Sequence, residues 1–517
     1  MCANQAGPRA VNWKLSDQDA RDRTRLKATS AALARAYLFR KGYFYGVALP
    51  EFIQPSGLER LTLSEGRPAI ETSPLDFYAP KGSYSWRRFS LLHPYSYWHI
   101  VTAITADLAW AELLELLTTP TRVACYSLPD LRPLSTPTAS GIRGWLAFEQ
   151  GLLTASPSFT HLAACDIGSF YPSVYTHSIA WALHGRAAAQ RERGRQRRLG
   201  DQIDMYFRKA RRGQTNGLPI GNVASDVVAE VILHDIDRLL SDELEIDCGI
   251  ARYRDDYRIL CKSEADAKTA IRTVSRILHE HYDLALNEEK NHVFADVVAG
   301  CARPWVAAMR SDAALAPVLL GRLPKSVSGA DTLAILLATY TIQRSFPAGS
   351  PAVSVLQKLL MLPTLGRHMH PAQILQCVAV LQQLTSLRES IIPVAARTMD
   401  ILLSRLDSRR REAILTELIA TGVSTRDNCI QQLWLFRLAL HHQPDKLERF
   451  IVFDNPLLEL ALDSEARAIS AFPSVVGLSP HDYRQLDQFE LIDYSVLGRL
   501  RRTAIPPAAV NAFMYGS

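Results

Sequence analysis

The chain has 517 residues, enough for about three domains by the usual ratio of length to domain, and its 48% hydrophobic against 21% charged content excludes wholesale disorder. A net charge of +6, with a pI near 8.8, weakly favours polyanionic partners. Eight cysteines scattered from Cys2 to Cys429 without a CxxC pair fit neither a zinc site nor a disulfide scaffold. With no secretory start and no apolar run long enough for a bilayer, they read as reduced thiols of a cytoplasmic protein outside the membrane.

Residues 1 to about 50 begin polar and then turn helical, with Leu26, Ala32, Leu33 and Leu38 recurring among Arg23, Arg25, Lys27, Arg35 and Arg40. Such a helix presents either a solvated charged face or a nucleic-acid-facing arm. Tyr43, Phe44 and Tyr45 follow and read as core aromatics. Residues 79–101 mix cations and aromatics, among them Lys81, Trp86, Arg87 and Arg88. Arginine grips phosphate oxygens in pairs and lysine acts as a point charge, so this stretch is a phosphate clamp or a surface hairpin with snorkelling side chains. Residues 127–142, rich in Pro, Ser, Thr and Gly, read as a loop.

A short apolar run then ends in Asp166, and Pro172 suits the first turn of a helix over 174–183. An acid at a strand end is either a seat of chemistry or a helix cap. Residues 186–212 are the most basic part of the chain, with Arg186, Arg191, Arg193, Arg195, Arg197, Arg198, Arg208, Lys209, Arg211 and Arg212. That density exceeds what solubility requires and predicts contact with a phosphate backbone. Residues 214–222 form a loop punctuated by Gly217 and Gly221, which lets backbone approach a flat ligand, before a helix with Val228, Val231, Ile232, Ile236 and Leu239 inward.

Residues 250–260 alternate with period two around Asp255 and Asp256, predicting a β-hairpin with the acids at its turn. Adjacent anions repel, and a fold holds them together chiefly when a divalent cation neutralises them; a solvated Asp-rich turn is the plainer reading. Ser263 to Asp266 opens a helix with Ala270, Ile271, Val274, Ile277 and Leu278 on its apolar face, and residues 284–294 read as a closing strand pair. Residues 160–296 thus run strand, helix, helical insertion, hairpin, helix, strand, the split βαβ or ferredoxin-like arrangement, in which Asp166 can approach Asp255 and Asp256.

From about residue 328, Leu333, Leu336, Leu337 and Tyr340, then Leu356, Leu359 and Leu360, then Ile374, Leu375, Val378 and Leu381 follow helical spacing. Further helices are expected near 393–406, 410–421 and 429–441, broken by Pro363, Pro371, Pro393 and Gly422. The succession predicts an α-solenoid of irregular repeats or an ordinary helical bundle. No carboxylate–histidine constellation is visible there, so this half is assigned to assembly or binding.

Three carboxylates from two strands suit Mg²⁺, which prefers hard oxygen ligands, and two such ions clamp an in-line phosphoryl transfer. Lys81, Arg87, Arg88 and Lys290 are the cations available to a triphosphate.

Residues 166–173 (Asp-Ile-Gly-Ser-Phe-Tyr-Pro-Ser), 216–221 (Asn-Gly-Leu-Pro-Ile-Gly) and 253–256 (Tyr-Arg-Asp-Asp) resemble motifs A, B and C of reverse transcriptases. Residues 284–290 are similar to motif D and residues 80–95 to the basic fingers motif, so the resemblance covers roughly residues 20–300. The particular forms of A and B, with the helical C-terminal half, look like the bacterial abortive-infection, or defence-associated, reverse transcriptases. That resemblance implies an α+β chain: right-hand polymerase fingers and a ferredoxin-like palm, followed by an all-α HEAT-like helical-repeat domain. The implied boundaries are 1–160 for the N-terminal region and fingers, 161–300 for the palm with a fingers insertion at about 185–215, and 301–517 for the helical domain.

It also implies roles. Asp166, Asp255 and Asp256, with the Ile167 carbonyl, would be catalytic and metal-ligating for two Mg²⁺ ions. Lys81, Arg87, Arg88, Tyr171, Gly221 and Lys290 would bind nucleotide, Tyr171 as the aromatic gate against a ribose 2′-hydroxyl and Lys290 near the departing pyrophosphate. Two departures stand out: Ile220 replaces the usual glutamine of motif B, and Arg254 puts a cation in the motif C turn, where smaller residues are usual. The implied function is a Mg²⁺-dependent DNA polymerase in antiphage defence, working from dNTPs without a template and primed by a protein hydroxyl to which the DNA product stays attached. Tyr43 and Tyr45 are primer candidates against their core-aromatic reading. A homo-oligomer is expected by the same analogy. The alternatives are a templated, RNA-directed DNA polymerase of a mobile element, and an inert nucleic-acid-binding oligomeric scaffold.

Overall fold

Strand-favouring runs and capped amphipathic helices form where the periodicity places them. The computed structural model describes residues 13–44, 49–64, 70–82, 85–131, 140–191, 198–301, 303–323, 326–347, 349–424, 428–501 and 503–505. Its strands are β1 (Ile53–Ser56), β2 (Leu75–Pro80), β3 (Trp86–Leu91), β4 (Val123–Cys125), β5 (His161–Asp166), β6 (Gly249–Tyr253), β7 (Asp256–Cys261), β8 (His292–Phe294) and β9 (Glu490–Ile492).

Five of them make one sheet in the order β4-β6-β7-β5-β8. Within it, β8-β5-β7-β6 is the ferredoxin-like order expected, and β4 extends the sheet by pairing parallel to β6. The central strands are near-continuous apolar runs because both faces are covered. Ala163, Cys165, Tyr257 and Ile259 share a buried cluster with helices Val223–Glu243 and Glu264–Ile277. Leu162, Ala164, Ala251 and Leu260 face the other way, into a cluster with Phe148, Leu152, Val297 and Cys301. The two helices start where side chains satisfy their free N–H groups: Asn222 Oδ1 accepts from Ser225 N at 2.8 Å, and Ser263 Oγ from Asp266 N at 3.1 Å.

Residues 75–91 form the antiparallel hairpin β2–β3, in register from Leu75↔Leu91 to Pro80↔Trp86. The N-terminal helix differs from expectation. It breaks after Trp13–Lys27 and restarts, capped by Ser30, as Ala31–Tyr37. The break resets the helical phase, so Leu26 and Leu38 are buried while Leu33 is 50% exposed. Arg23 is buried too, with Nε 2.9 Å from Asp19 and Nη1 on the carbonyls of Leu117 and Thr119.

The basic stretch at 186–212 is also corrected in part. Arg211 donates to the carbonyls of Asn216 and Gly217, Arg208 pairs with Asp204, Lys209 with Glu71, and Arg212 donates to the Ser73 hydroxyl. These four cations are engaged with their own chain, and of them Arg211 is buried while Arg212 remains exposed. Arg193, Arg195 and Arg197 lie outside the described residues.

The C-terminal helices fall close to the expected positions: Gly329–Ser345, Pro351–Leu360, Pro371–Thr385, Ile392–Leu403, Ser408–Ser424 and Cys429–His442. Pro371 and Pro393 sit in first turns, where a missing N–H costs nothing, so they open helices. The expectation of an all-α C-terminal span needs correction: β9 pairs antiparallel with β1, Ile53 opposite Ile492 and Ser56 opposite Glu490. The chain returns to its N-terminal region there, and apolar rings seal the contact, with Phe52 against Phe436 at 5.6 Å and Tyr43 against Phe489 at 5.4 Å between centroids. No helix among the described residues is long and apolar enough to cross a membrane.

Candidate active site

Strand register decides the site. β5 runs antiparallel to β7 with Asp166 opposite Asp256, and β6 turns into β7 through Arg254 and Asp255, leaving Tyr253 opposite Asp256. Arg254 takes the left-handed conformation, φ 53°, uncommon for a residue with a side chain. It is fixed on both sides: its N–H donates to Ser127 Oγ (2.8 Å) and its carbonyl accepts from Arg252 Nη1 (3.0 Å). The Asp255 carbonyl accepts from Ile167 N at 3.0 Å, the Asp166 carbonyl from Asn287 N at 2.8 Å, and Gly168 N donates to the Ala285 carbonyl at 2.8 Å. The end of β5 is thereby bracketed by the hairpin on one side and residues 284–290 on the other.

Charge is unevenly met within this cluster. Lys290 Nζ lies 3.0 Å from Asp166 Oδ2, and Arg258 forks onto both oxygens of Asp256. Asp255 makes no ion pair among the described residues. Burial, then the Asp166 charge, pushes the Asp255 carboxyl up. Burial also pushes Asp256 up to about 7, with Arg258 opposing and the other two acids adding to the rise. Burial, with the neighbouring Arg87 and Lys290, pulls Lys81 down, while the charges of Asp166 and Asp255 act against that. Hard oxygen donors that resist ionising together, one of them in no ion pair among the described residues, are a donor set suited to a divalent cation, although here the oxygens of the three acids do not all lie within 4.8 Å of one another.

The remaining candidates are placed less uniformly. Ile167 is buried at the end of β5. The Tyr171 hydroxyl donates to Asp226 Oδ1 at 2.6 Å, and Asp226 Oδ2 lies 4.0 Å from Arg254 Nη2, which ties the gate position to the hairpin turn. Gly221 has φ 118°, and a Cβ there would come within 2.6 Å of the Phe44 ring. Its smallness serves that packing, which gives glycine a structural reason separate from any ligand. Arg87 is paired with Glu389 of the helical region, and Arg88 is exposed, 3.9 Å from Asp76. Tyr43 is corrected as a primer candidate: it is buried, donates to the Leu92 carbonyl and packs edge-on against Tyr97, so its hydroxyl cannot reach a nucleotide. Tyr45 lies outside the described residues.

Sequence reasoning missed Arg252. It is 1% exposed on β6 and donates to Asp237 (2.8 Å), Glu230 (3.0 Å) and Cys125 Sγ (3.3 Å) besides the Arg254 carbonyl. Tyr257 adds a bond to Asp237 at 2.8 Å. The signal was available: Glu230 and Asp237, seven residues apart, fall on the inward face of an amphipathic helix opposite an arginine at an inward strand position.

The helical region does hold a carboxylate–histidine cluster, against expectation. His441 Nδ1 and His442 Nε2 lie 2.6 and 3.1 Å from Asp400 Oδ1, and among the described residues this is the compact trio of possible metal ligands, within 4.8 Å of one another. Asp400 Oδ2 accepts from Ile505 N at 2.9 Å, while the charges of Arg397 and Arg411 act on the cluster and oppose a cation. It is an internal pin for residues 503–505.

No curated protein matches the chain significantly. Residues 80–320 match the family model described as reverse transcriptase (RNA-dependent DNA polymerase), a span containing Lys81, the whole five-stranded sheet, the three acids and Lys290. Residues 80–320 are thus similar to a reverse-transcriptase domain, a family of nucleotide polymerases that act on nucleotides and nucleic acid and generally use divalent metal, typically Mg²⁺.

Proposed function

We propose that this chain is a Mg²⁺-dependent DNA polymerase of the reverse-transcriptase type that acts in antiphage defence, extending DNA without a template from a protein hydroxyl. The observation that carries the polymerase reading is the pairing of Asp166 with Asp256 across β5 and β7, beside an Asp255 that makes no ion pair among the described residues. Asp166, Asp255, Asp256 and the Ile167 carbonyl would hold two Mg²⁺ ions. When bound, such ions neutralise developing charge and activate the attacking hydroxyl of an in-line displacement.

The chain's own groups do the rest. Arg258 orients Asp256, and Lys290 and Lys81 place positive charge where triphosphate oxygens would lie. The Tyr171 ring, anchored through its hydroxyl to Asp226, excludes a 2′-hydroxyl and so selects dNTPs. The defence assignment is supported by the motif forms at 166–173 and 216–221 and by the helices after residue 328. Ile220 and the Arg254–Asp226 contact, both departures from common reverse transcriptases, support unconventional template handling. On this reading residues 1–160, 161–300 and 301–517 are the fingers, palm and HEAT-like units of a cytoplasmic homo-oligomer. The priming hydroxyl is one other than Tyr43.

The test is incubation with each labelled dNTP and Mg²⁺, with and without RNA or DNA template. Product without template is expected. Product only with template would move the assignment to a templated polymerase of a mobile element, and no product under either condition to an inert scaffold.

A further inference from the structure

The β2–β3 hairpin meets the helical region through packing of β2 against the helix Cys429–His442 and, towards its turn, through two polar contacts. Arg87 on β3 pairs with Glu389, 302 residues further along the chain. Glu389 is 4% exposed, and its second carboxylate oxygen is buried without a hydrogen bond. Beside it Arg388, also buried, donates to the Pro347 carbonyl at 2.9 Å. Pro347 faces the hairpin turn, since a Cβ built on Gly82 would lie 3.8 Å from the Pro347 Cβ. Lys81, next to Gly82, has its N–H on the Ser85 carbonyl at 2.9 Å and feels the charges of Asp166 and Asp255.

Two guanidinium groups thus flank one carboxylate, Arg87 paired with it and Arg388 on the neighbouring residue. Burial pulls the Arg388 guanidinium down, Glu389 opposes that, and Arg87 adds to it. Without that carboxylate, a buried cation and a half-buried one would be left near each other in a poorly solvated place. Phe77, Ala79 and Leu91 keep the base of the hairpin in the core, so its outer end, where Lys81 and Trp86 are exposed, is the part that gives. The lysine carried at its turn would move with it.

We propose that Glu389 is a positioning residue for the incoming nucleotide: by pairing with Arg87 it docks the turn end of the β2–β3 hairpin on the helical region and so sets the position of Lys81, by which the helical region completes the triphosphate site. The catalytic half of this proposal rests on the polymerase reading; the docking half does not.

Hydrogen exchange on the full-length chain tests the docking. Glu389→Gln should speed exchange across residues 75–91 at least about fivefold, as expected for loss of a local anchor, while β5 and β7 stay protected. Unchanged exchange there would overturn the proposal. In steady state the same variant should raise KM for dNTP roughly tenfold with kcat within about twofold, with partial recovery in Glu389→Asp. In an Arg87→Ala background Glu389→Gln should add nothing further; additive losses would mean that Glu389 acts by another route. Should Glu389→Gln fail to fold, Arg87→Ala, at a half-buried position, must show the same faster exchange or the docking is wrong. A wild-type protein that incorporates no nucleotide would sink the polymerase reading and leave the exchange result to decide the docking alone.

Discussion

Replacing Arg252 by methionine tests how the hairpin under the acids is held. The guanidinium, 1% exposed, is the counter-charge for Asp237 and Glu230, both buried, and Burial already pushes the Asp237 carboxyl up with Arg252 as its main restraint. Methionine nearly fills the same volume but leaves two buried carboxylates unpaired, a change that costs about 3–5 kcal/mol. It also removes the donor to the Arg254 carbonyl, so the turn bearing Asp255 loosens. Urea unfolding followed by tryptophan fluorescence measures the loss. The deficit should shrink as the pH falls from about 8 to about 5, because protonating the stranded acids relieves them. Adding Glu230→Gln and Asp237→Leu should restore much of it, since an apolar replacement of a buried ion cluster is often neutral. A loss below about 1 kcal/mol at neutral pH, well short of a broken buried pair, would refute the reasoning.

Three further outcomes follow from the same geometry. Gly221→Ala should lower the unfolding midpoint, because the added Cβ meets Phe44 and φ 118° suits glycine; an unchanged midpoint would show that Phe44 simply moves aside. Tyr171→Ala should admit ribonucleotides in a competition between dNTP and NTP, whereas unchanged sugar selectivity would remove the gate from Tyr171. In the metal-free protein, burial raises the folded-state pKa of Asp255 and Asp256 above the usual carboxylate range, the latter to about 7. Their protonated forms therefore favour folding below that range, and the contribution is lost as pH rises through about 7. Mg²⁺ should accordingly raise the melting temperature more at about pH 8 than at about pH 6, and equal shifts would contradict a metal site on these acids.

The acid cluster was legible because strands have a period of two. Once residues 161–166 and 250–260 were assigned as strands of one ferredoxin-like unit, Asp166 had few places to go except beside Asp256. The proline and capping signals likewise placed the C-terminal helices. Contacts between distant charged residues were not legible. Nothing in local periodicity pairs Arg87 with Glu389, β1 with β9, or His441 with Asp400. The cations at 208–212 looked like a phosphate surface because sequence shows their charge but not the acids and carbonyls folded against them. Gly221 invited a ligand because the reason for its smallness, the Phe44 ring, lies 177 positions earlier (221 − 44).

Nucleotide incorporation by Asp255→Asn tests the central claim most directly. Asp255 makes no ion pair among the described residues, so the amide removes a metal ligand without breaking one. The account predicts that this variant has an unfolding midpoint at or above the wild-type value and loses Mg²⁺-dependent incorporation of dNTPs to background. Full incorporation by a properly folded Asp255→Asn protein would contradict it.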